Sequence, residues 1–269
     1  MFTLTGFGDE ISPELNEQLD LLQSEGVNFL ELRGVWGKNV LDLSDEEAGR
    51  VRNELERRKV GVSAIASPIG KISIDEPFEP HLARFRRALD LADFFQAPYI
   101  RLFSFYVPHG TAEFCRDQVM SRMFALAEAA HGRKAILGIE NEHGLYGDTP
   151  ERSLDLIQTL KSPQWTTIYD PCNYVMENIR PFTQAFPMLA GTIGYLHVKD
   201  ADMSTHKMCV AGKGDAQVPE AMAALLTRGY NGFLSLEPHL LIAGQSSGVS
   251  GPDLFRDAIR AVKDILATL

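Results

Sequence analysis

Eight short apolar runs alternate with eight amphipathic stretches along the chain, and this alternation constrains the fold more than any other feature. The runs are FTLTGF from Phe2, NFLELR from Asn28, VSAIAS from Val62, YIRLFSF from Tyr99, AILGIE from Ala135, TTIYD from Thr166, IGYLHV from Ile193 and GFLSLE from Gly232. They are short and rich in apolar or β-branched residues, as parallel strands covered on both faces are. The stretches between them carry helix punctuation. SPELNEQLDLLQSEG opens with Ser12 as cap and Pro13 at the first helical position, and closes at Gly26. LSDEEAGRVRNELERRKVG opens at Ser44 with acidic residues in its first turn and ends in Arg57, Arg58 and Lys59, the charge order that the helix dipole favours. PHLARFRRALDLADFFQ places Leu82, Phe85, Leu89 and Ala92 on one stripe. The weakest helical pattern spans 183–189, where Pro187 interrupts it.

Repeated βα units imply a parallel sheet. Eight of them in 269 residues predict a closed (β/α)8 TIM barrel of class α/β, occupying 1–269 as one domain. An open doubly wound sheet is the alternative, but GFGDEI after the first run puts Asp9 and Glu10 where a pyrophosphate would bind.

In such barrels the carboxyl ends of the strands build the active site. Run five ends at Glu140, six at Asp170, seven at His197 and eight at Glu237. One such acid alone reads as a helix cap or an ion-pair partner, and one such histidine as a hydrogen-bonded core residue. Four on four consecutive strands converge on one half of the mouth. Carboxylates that close do not all stay ionised without a cation. The set therefore predicts one divalent ion, with Mn²⁺, Mg²⁺ or Co²⁺ suited to three oxygens and one nitrogen and Zn²⁺ possible.

The stretches IENEHG, IYDPCN, YLHVKDA and GKGDAQVPEAMAALLTRGYNGFLSLEPH resemble the xylose isomerase-like TIM barrels, the sugar phosphate isomerase/epimerase superfamily. Its members include tagatose/psicose 3-epimerases, hydroxypyruvate isomerase, inosose dehydratase, dehydroshikimate dehydratase and endonuclease IV. The resemblance implies that Glu140, Asp170, His197 and Glu237 ligate the metal, Mn²⁺ favoured. It also implies that Glu140 and Glu237 act as an acid/base pair on opposite faces of the substrate. The expected activity is a sugar or polyhydroxy ketone/aldehyde isomerase or epimerase working through an enediolate, with a dehydratase of the inosose or dehydroshikimate type as the alternative. Two departures stand out. Asn173 occupies the place where many relatives have a histidine, which leaves a multi-zinc nuclease site incomplete. Lys199, His206 and Lys207 stand where epimerases tend to have an arginine, so the substrate need not be a simple ketose.

Other polar residues near the strand ends are candidate substrate contacts, each with a structural alternative. Lys199 binds a substrate carboxylate or phosphate, or pairs with Asp200 or a ligand carboxylate. His206 reaches the substrate from its loop, or is solvated. Glu142 and His143 orient Glu140, or are surface groups, and His239 is similar. Arg33 holds a substrate anion or pairs with Glu31. Arg101 is expected to pair with a barrel carboxylate, and Ser67 to form a turn before Pro68 or bind a sugar hydroxyl. The Gly-rich LIAGQSSGVSGP after run eight reads as a lid, an anion-binding loop or an ordinary loop.

A formal charge of −10 disfavours nucleic acid as a partner. The three cysteines form no C-x-x-C pair, which fits a reducing cytoplasm. No run reaches membrane-spanning length, and the N-terminus carries no signal-peptide pattern. The expected partner is a small sugar-like molecule, with a homodimer or homotetramer as the family expectation.

Overall fold

The computed structural model describes residues 2–241 and 249–269. Eight parallel strands fall on the eight apolar runs: β1 (Thr3–Gly6), β2 (Phe29–Leu32), β3 (Gly61–Ile65), β4 (Tyr99–Leu102), β5 (Ile136–Glu140), β6 (Trp165–Tyr169), β7 (Ile193–Val198) and β8 (Phe233–Leu236). They form one sheet in the order β1–β8–β7–β6–β5–β4–β3–β2. A parallel bridge from Phe7 to Glu31 draws its two edges together. The result is a nearly closed TIM barrel. The doubly wound alternative is excluded by this order, which runs round the ring with no switch point.

The helices wrap the outside: α1 (Leu15–Ser24), α2 (Asp45–Arg58), α3 (Phe78–Phe95), α4 (Ala112–Ala129), α5 (Pro150–Leu160), α6 (Pro171–Met176), α7 (Phe186–Leu189), α8 (Val218–Thr227) and α9 (Gly251–Thr268). Helix α2 begins with a reciprocal capping box between Ser44 and Glu47. Helix α1 begins two residues later than its sequence suggests. The Ser12 hydroxyl accepts from the Glu14 amide and donates to Glu17, so it shapes the turn before the helix instead of capping it. Around Pro187 the chain makes a π-turn (Pro181–Ala185) before the single turn of α7. Among the described residues, no helix is long and apolar enough to cross a membrane.

Inside the barrel, Ala64, Ile168 and Tyr195 pack against Tyr99 and Phe233. Above them lies a polar layer: Thr5 and Ser63 share a 2.8 Å hydrogen bond, and Ser63 meets the Tyr195 hydroxyl at 3.0 Å. A Cβ on Gly138 would lie 2.5 Å from Ile168, so β5 approaches β6 closely just before its acidic end. Two small hairpins decorate the mouth, one of strands Gly34–Val35 and Lys38–Asn39, the other of Asp200–Asp202 and Lys207–Cys209.

Candidate functional site

Strand register delivers the four sequence-predicted ligands to one level. Glu140 is the last residue of β5, Asp170 and Glu237 follow β6 and β8 directly, and His197 lies next to the last residue of β7. All four are buried, and their ligand atoms lie within 4.8 Å of one another. His197 Nδ1 is 3.1 Å from Glu140 Oε1 and 3.4 Å from Glu237 Oε2.

Asp170 divides its two oxygens. Oδ1 caps α6 by accepting from the Asn173 amide at 3.0 Å. Oδ2 faces the cluster, 2.8 Å from Lys199 Nζ, as an ion pair without hydrogen-bond alignment. Asn173 also donates to Glu140 Oε1 at 3.3 Å. Asn141 exchanges hydrogen bonds with the Asp170 backbone at 2.8 and 2.9 Å, tying the ends of β5 and β6 together.

Three cations brace the acids. Arg101 Nη1 lies 3.2 Å from Glu140 Oε2. Arg33 donates to Asp9 at 2.8 Å and to Glu237 Oε1 at 3.1 Å. Lys199 lies 3.6 Å from Glu237 Oε2. Glu31, the partner expected for Arg33, instead accepts from the Tyr195 hydroxyl at 2.6 Å and faces His197 Nε2 at 3.3 Å. Two residues along a strand differ in depth by about 6.6 Å, so Glu31 lies beneath the histidine while Arg33 reaches the rim.

Burial opposes ionisation of Glu140, but His197 and Arg101 outweigh it and hold the carboxyl down at about 2. Burial also opposes ionisation of Glu237, and Lys199 and His239 hold it well below the usual range. For Asp170 burial prevails over the pull of Lys199 and pushes the carboxyl up to about 6. Burial works against a charge on His197, yet Glu140 and Glu31 raise its pKa well above the ordinary value.

The donor set passes a chemical test for a metal. Among the described residues, Asp170 Oδ2 and Glu237 Oε2 are buried without hydrogen-bond partners and face Lys199 only as ion pairs, so both oxygens keep lone pairs that a cation would satisfy. Three carboxylates and an imidazole suit a divalent ion.

The remaining candidates sit elsewhere. Glu142 is half-buried and pairs with Lys71 at 2.7 Å. His143 is exposed and pairs with Glu177. His206 is exposed on the turn of the second hairpin. Ser67 donates to the Arg101 carbonyl at 2.5 Å and accepts from the Ile69 amide, a turn-forming arrangement. The central part of the Gly-rich stretch, 242–248, lies outside the described residues.

Sequence reasoning did not assign three contributors. Glu31 was legible from its alternation with the inward-facing positions of β2. Asp9 and Glu10 were visible only as acids after β1. Glu10 is buried, accepts from the His239 amide at 2.9 Å and from the Ser250 hydroxyl at 2.8 Å, and lies 3.3 Å from His239 Nε2. The GKGD motif has a structural explanation: the Asp200 carboxylate accepts from the amides of Ala201, Gly212, Gly214 and Ala216 at 2.8–3.0 Å, folding that loop over β7.

The family model described as a xylose isomerase-like TIM barrel matches residues 19–265. The chain belongs to this family. No curated protein matches it in sequence. Solved relatives of this xylose isomerase-like barrel include a D-tagatose 3-epimerase-like protein, 17% identical, with 99% of this chain and 98% of that one covered and a TM-score of 0.79. A xylose isomerase-like TIM barrel protein from Mycobacterium smegmatis, solved in complex with magnesium, is 17% identical, with 99% and 96% covered and a TM-score of 0.73. A probable 3-DHS dehydratase, AsbF, from Bacillus anthracis is 18% identical, with 97% and 98% covered and a TM-score of 0.76. At these identities the likeness is one of fold.

Proposed function

We propose that this chain is a divalent-metal-dependent isomerase or epimerase of a sugar or sugar-like polyhydroxy ketone or aldehyde, moving a proton through an enediolate. One observation carries the reading: Glu140, Asp170, His197 and Glu237 bring buried ligand atoms within 4.8 Å of one another. These four would hold the ion, with Mn²⁺ favoured and Mg²⁺, Co²⁺ or Zn²⁺ as alternatives. Bound there, it supplies a Lewis acid for the substrate carbonyl. The magnesium complex of one relative, and the likeness to a D-tagatose 3-epimerase-like protein and a probable 3-DHS dehydratase, support this class of chemistry.

The chain's own residues handle the proton. In the sheet order β8–β7–β6–β5, Glu237 and Glu140 stand at opposite ends of the cluster. One removes the proton from the carbon beside the carbonyl, and the other delivers a proton to the opposite face. Their cationic neighbours hold both carboxyls down, so each rests as the base, and the one that delivers a proton first takes it up from water. Arg101 fixes the orientation of Glu140, and Arg33 that of Glu237. Phe7, fully buried with its ring edge-on to His197 at 5.3 Å, closes the floor to water.

A dehydratase on the same side chains is the second reading, favoured by Lys199, whose buried ammonium beside Asp170 is a candidate donor to a departing β-hydroxyl. Mn²⁺-loaded protein incubated in D₂O with ketoses, inososes and hydroxy acids tests both. Deuterium at the carbon beside the carbonyl together with a pool of isomers supports the first reading. Stoichiometric loss of water supports the second. Full metal loading with no exchange on any of these compounds contradicts both.

A further inference from the structure

A cavity of about 620 Å³ opens at the barrel mouth next to the acidic cluster, on the side formed by β1–β4. Among the described residues, its charged lining consists of Arg33, Lys38, Lys71 and Arg101 against a single carboxylate, Asp9. The chain as a whole carries −10, so this wall runs against the prevailing charge. Arg33 and Arg101 join the cavity to the cluster, because each also contacts a proposed catalytic glutamate, Glu237 at 3.1 Å and Glu140 at 3.2 Å.

The cations are held in place. Both guanidiniums are buried over the Phe7 ring, Arg33 at 4.6 Å and Arg101 at 5.1 Å from its centroid. Arg101 Nε is buried with no hydrogen-bond partner among the described residues. Lys71 arrives on the loop after β3. Gly70, at φ +97°, lets that loop press on the end of β4, where a Cβ would meet the Phe103 carbonyl oxygen at 2.0 Å. This sets Lys71 Nζ 4.3 Å from the Phe103 ring centroid, with Glu142 at 2.7 Å.

Buried arginines are costly unless their charge is matched. Here the matching groups include Glu140 and Glu237, the same carboxylates that would ligate the ion. A cation drawing on those oxygens weakens their hold on the arginines, and an incoming anion restores the balance. Neutral hydroxyls need no such wall, whereas a planar guanidinium matches a carboxylate or phosphate in a fork.

We propose that this cavity is a subsite for an anionic group, carboxylate or phosphate, at the end of the substrate remote from the reacting carbon, with Lys71 and the two arginines as its contacts. The proposal rests on the reading of Glu140 and Glu237 as the reacting pair, which fixes where the remote end lies. Titration calorimetry with sorbitol, D-gluconate and sorbitol 6-phosphate, on metal-free and Mn²⁺-loaded protein, tests it. An anion is expected to bind about tenfold or more tightly than sorbitol, and the better of the two identifies carboxylate or phosphate. Lys71→Ala is expected to cut that preference by about three- to tenfold while Mn²⁺ affinity holds. Equal affinities, no anion binding, or a preference untouched by both Lys71→Ala and Lys71→Glu overturns the subsite. Anion preference in protein that takes up no Mn²⁺ upholds the subsite and overturns the metal reading; Mn²⁺ uptake without anion preference does the reverse.

Discussion

The two sides of the barrel mouth are lined differently: carboxylates and a histidine converge at the ends of β5–β8, whereas the cavity beside β1–β4 is lined mainly by cations. On β5–β8, Glu140, Asp170, His197 and Glu237 sit on the strands or one residue beyond them, so sheet register alone sets their positions. On β1–β4, Arg101 is carried on its strand, but Arg33 and Lys71 come from segments after the strands, and all three reach inward on long side chains. A proton-transfer site needs the first kind of rigidity. A surface that recognises the rest of a substrate tolerates the second, because loops vary while the scaffold holds. The arginines at the seam couple the two halves.

The sharpest way to break this comparison is to neutralise one acid at a time. Glu140→Gln and Glu237→Gln keep the shape and remove the proposed base, so turnover on whichever substrate shows exchange is expected to fall by about 10²–10⁴-fold. Unchanged turnover in steady-state assays moves the chemistry elsewhere.

The next effect is on stability and belongs to the β1–β4 side. The loop carrying Lys71 is anchored by the Gly70 amide donating to His81 Nε2 at 2.7 Å, which requires a neutral ring. Burial, then Arg84 and Arg122, push the His81 pKa from 6.5 down to about 4. The unfolded chain therefore binds the proton first, and stability falls as pH drops through the window from 6.5 to 4, by up to about 3 kcal/mol. Urea unfolding at several pH values should show this slope, and His81→Gln should flatten it; equal slopes contradict the anchor.

On the acidic side, Asn173 donates to Glu140 and presents its amide to Asp170. Asn173→Ala is expected to weaken Mn²⁺ binding by about 10–100-fold, read by calorimetry. Ser44→Ala, which removes the α2 cap, should cost about 1 kcal/mol in thermal unfolding and leave Mn²⁺ affinity alone. A shift in affinity there means that the cluster is sensitive to general loosening and that its positions are not set by strand register.

Much of this arrangement was legible in the sequence, because period and polarity encode it. All eight runs became barrel strands, and Glu140 is the terminal residue of its strand. Asp170 shows why one residue can satisfy two readings, since one oxygen caps a helix and the other enters the cluster. The pairing of Arg33 was not legible, because Asp9 and Glu237 lie 24 and 204 positions away in the chain and only barrel closure brings them near. The shift of Ser12 from helix cap to turn residue also escaped, since the same side chain serves either role. The anchoring of Lys71 depends on Gly70 and His81, whose contact no local pattern announces.

The most direct test is the metal content of purified protein after equilibration with Mn²⁺ and removal of free ion, measured by inductively coupled plasma mass spectrometry. The account predicts one ion per chain in the natural sequence and almost none in folded Asp170→Asn/His197→Gln protein. A natural chain that retains no divalent ion, or a doubly substituted chain that retains a full complement, contradicts it.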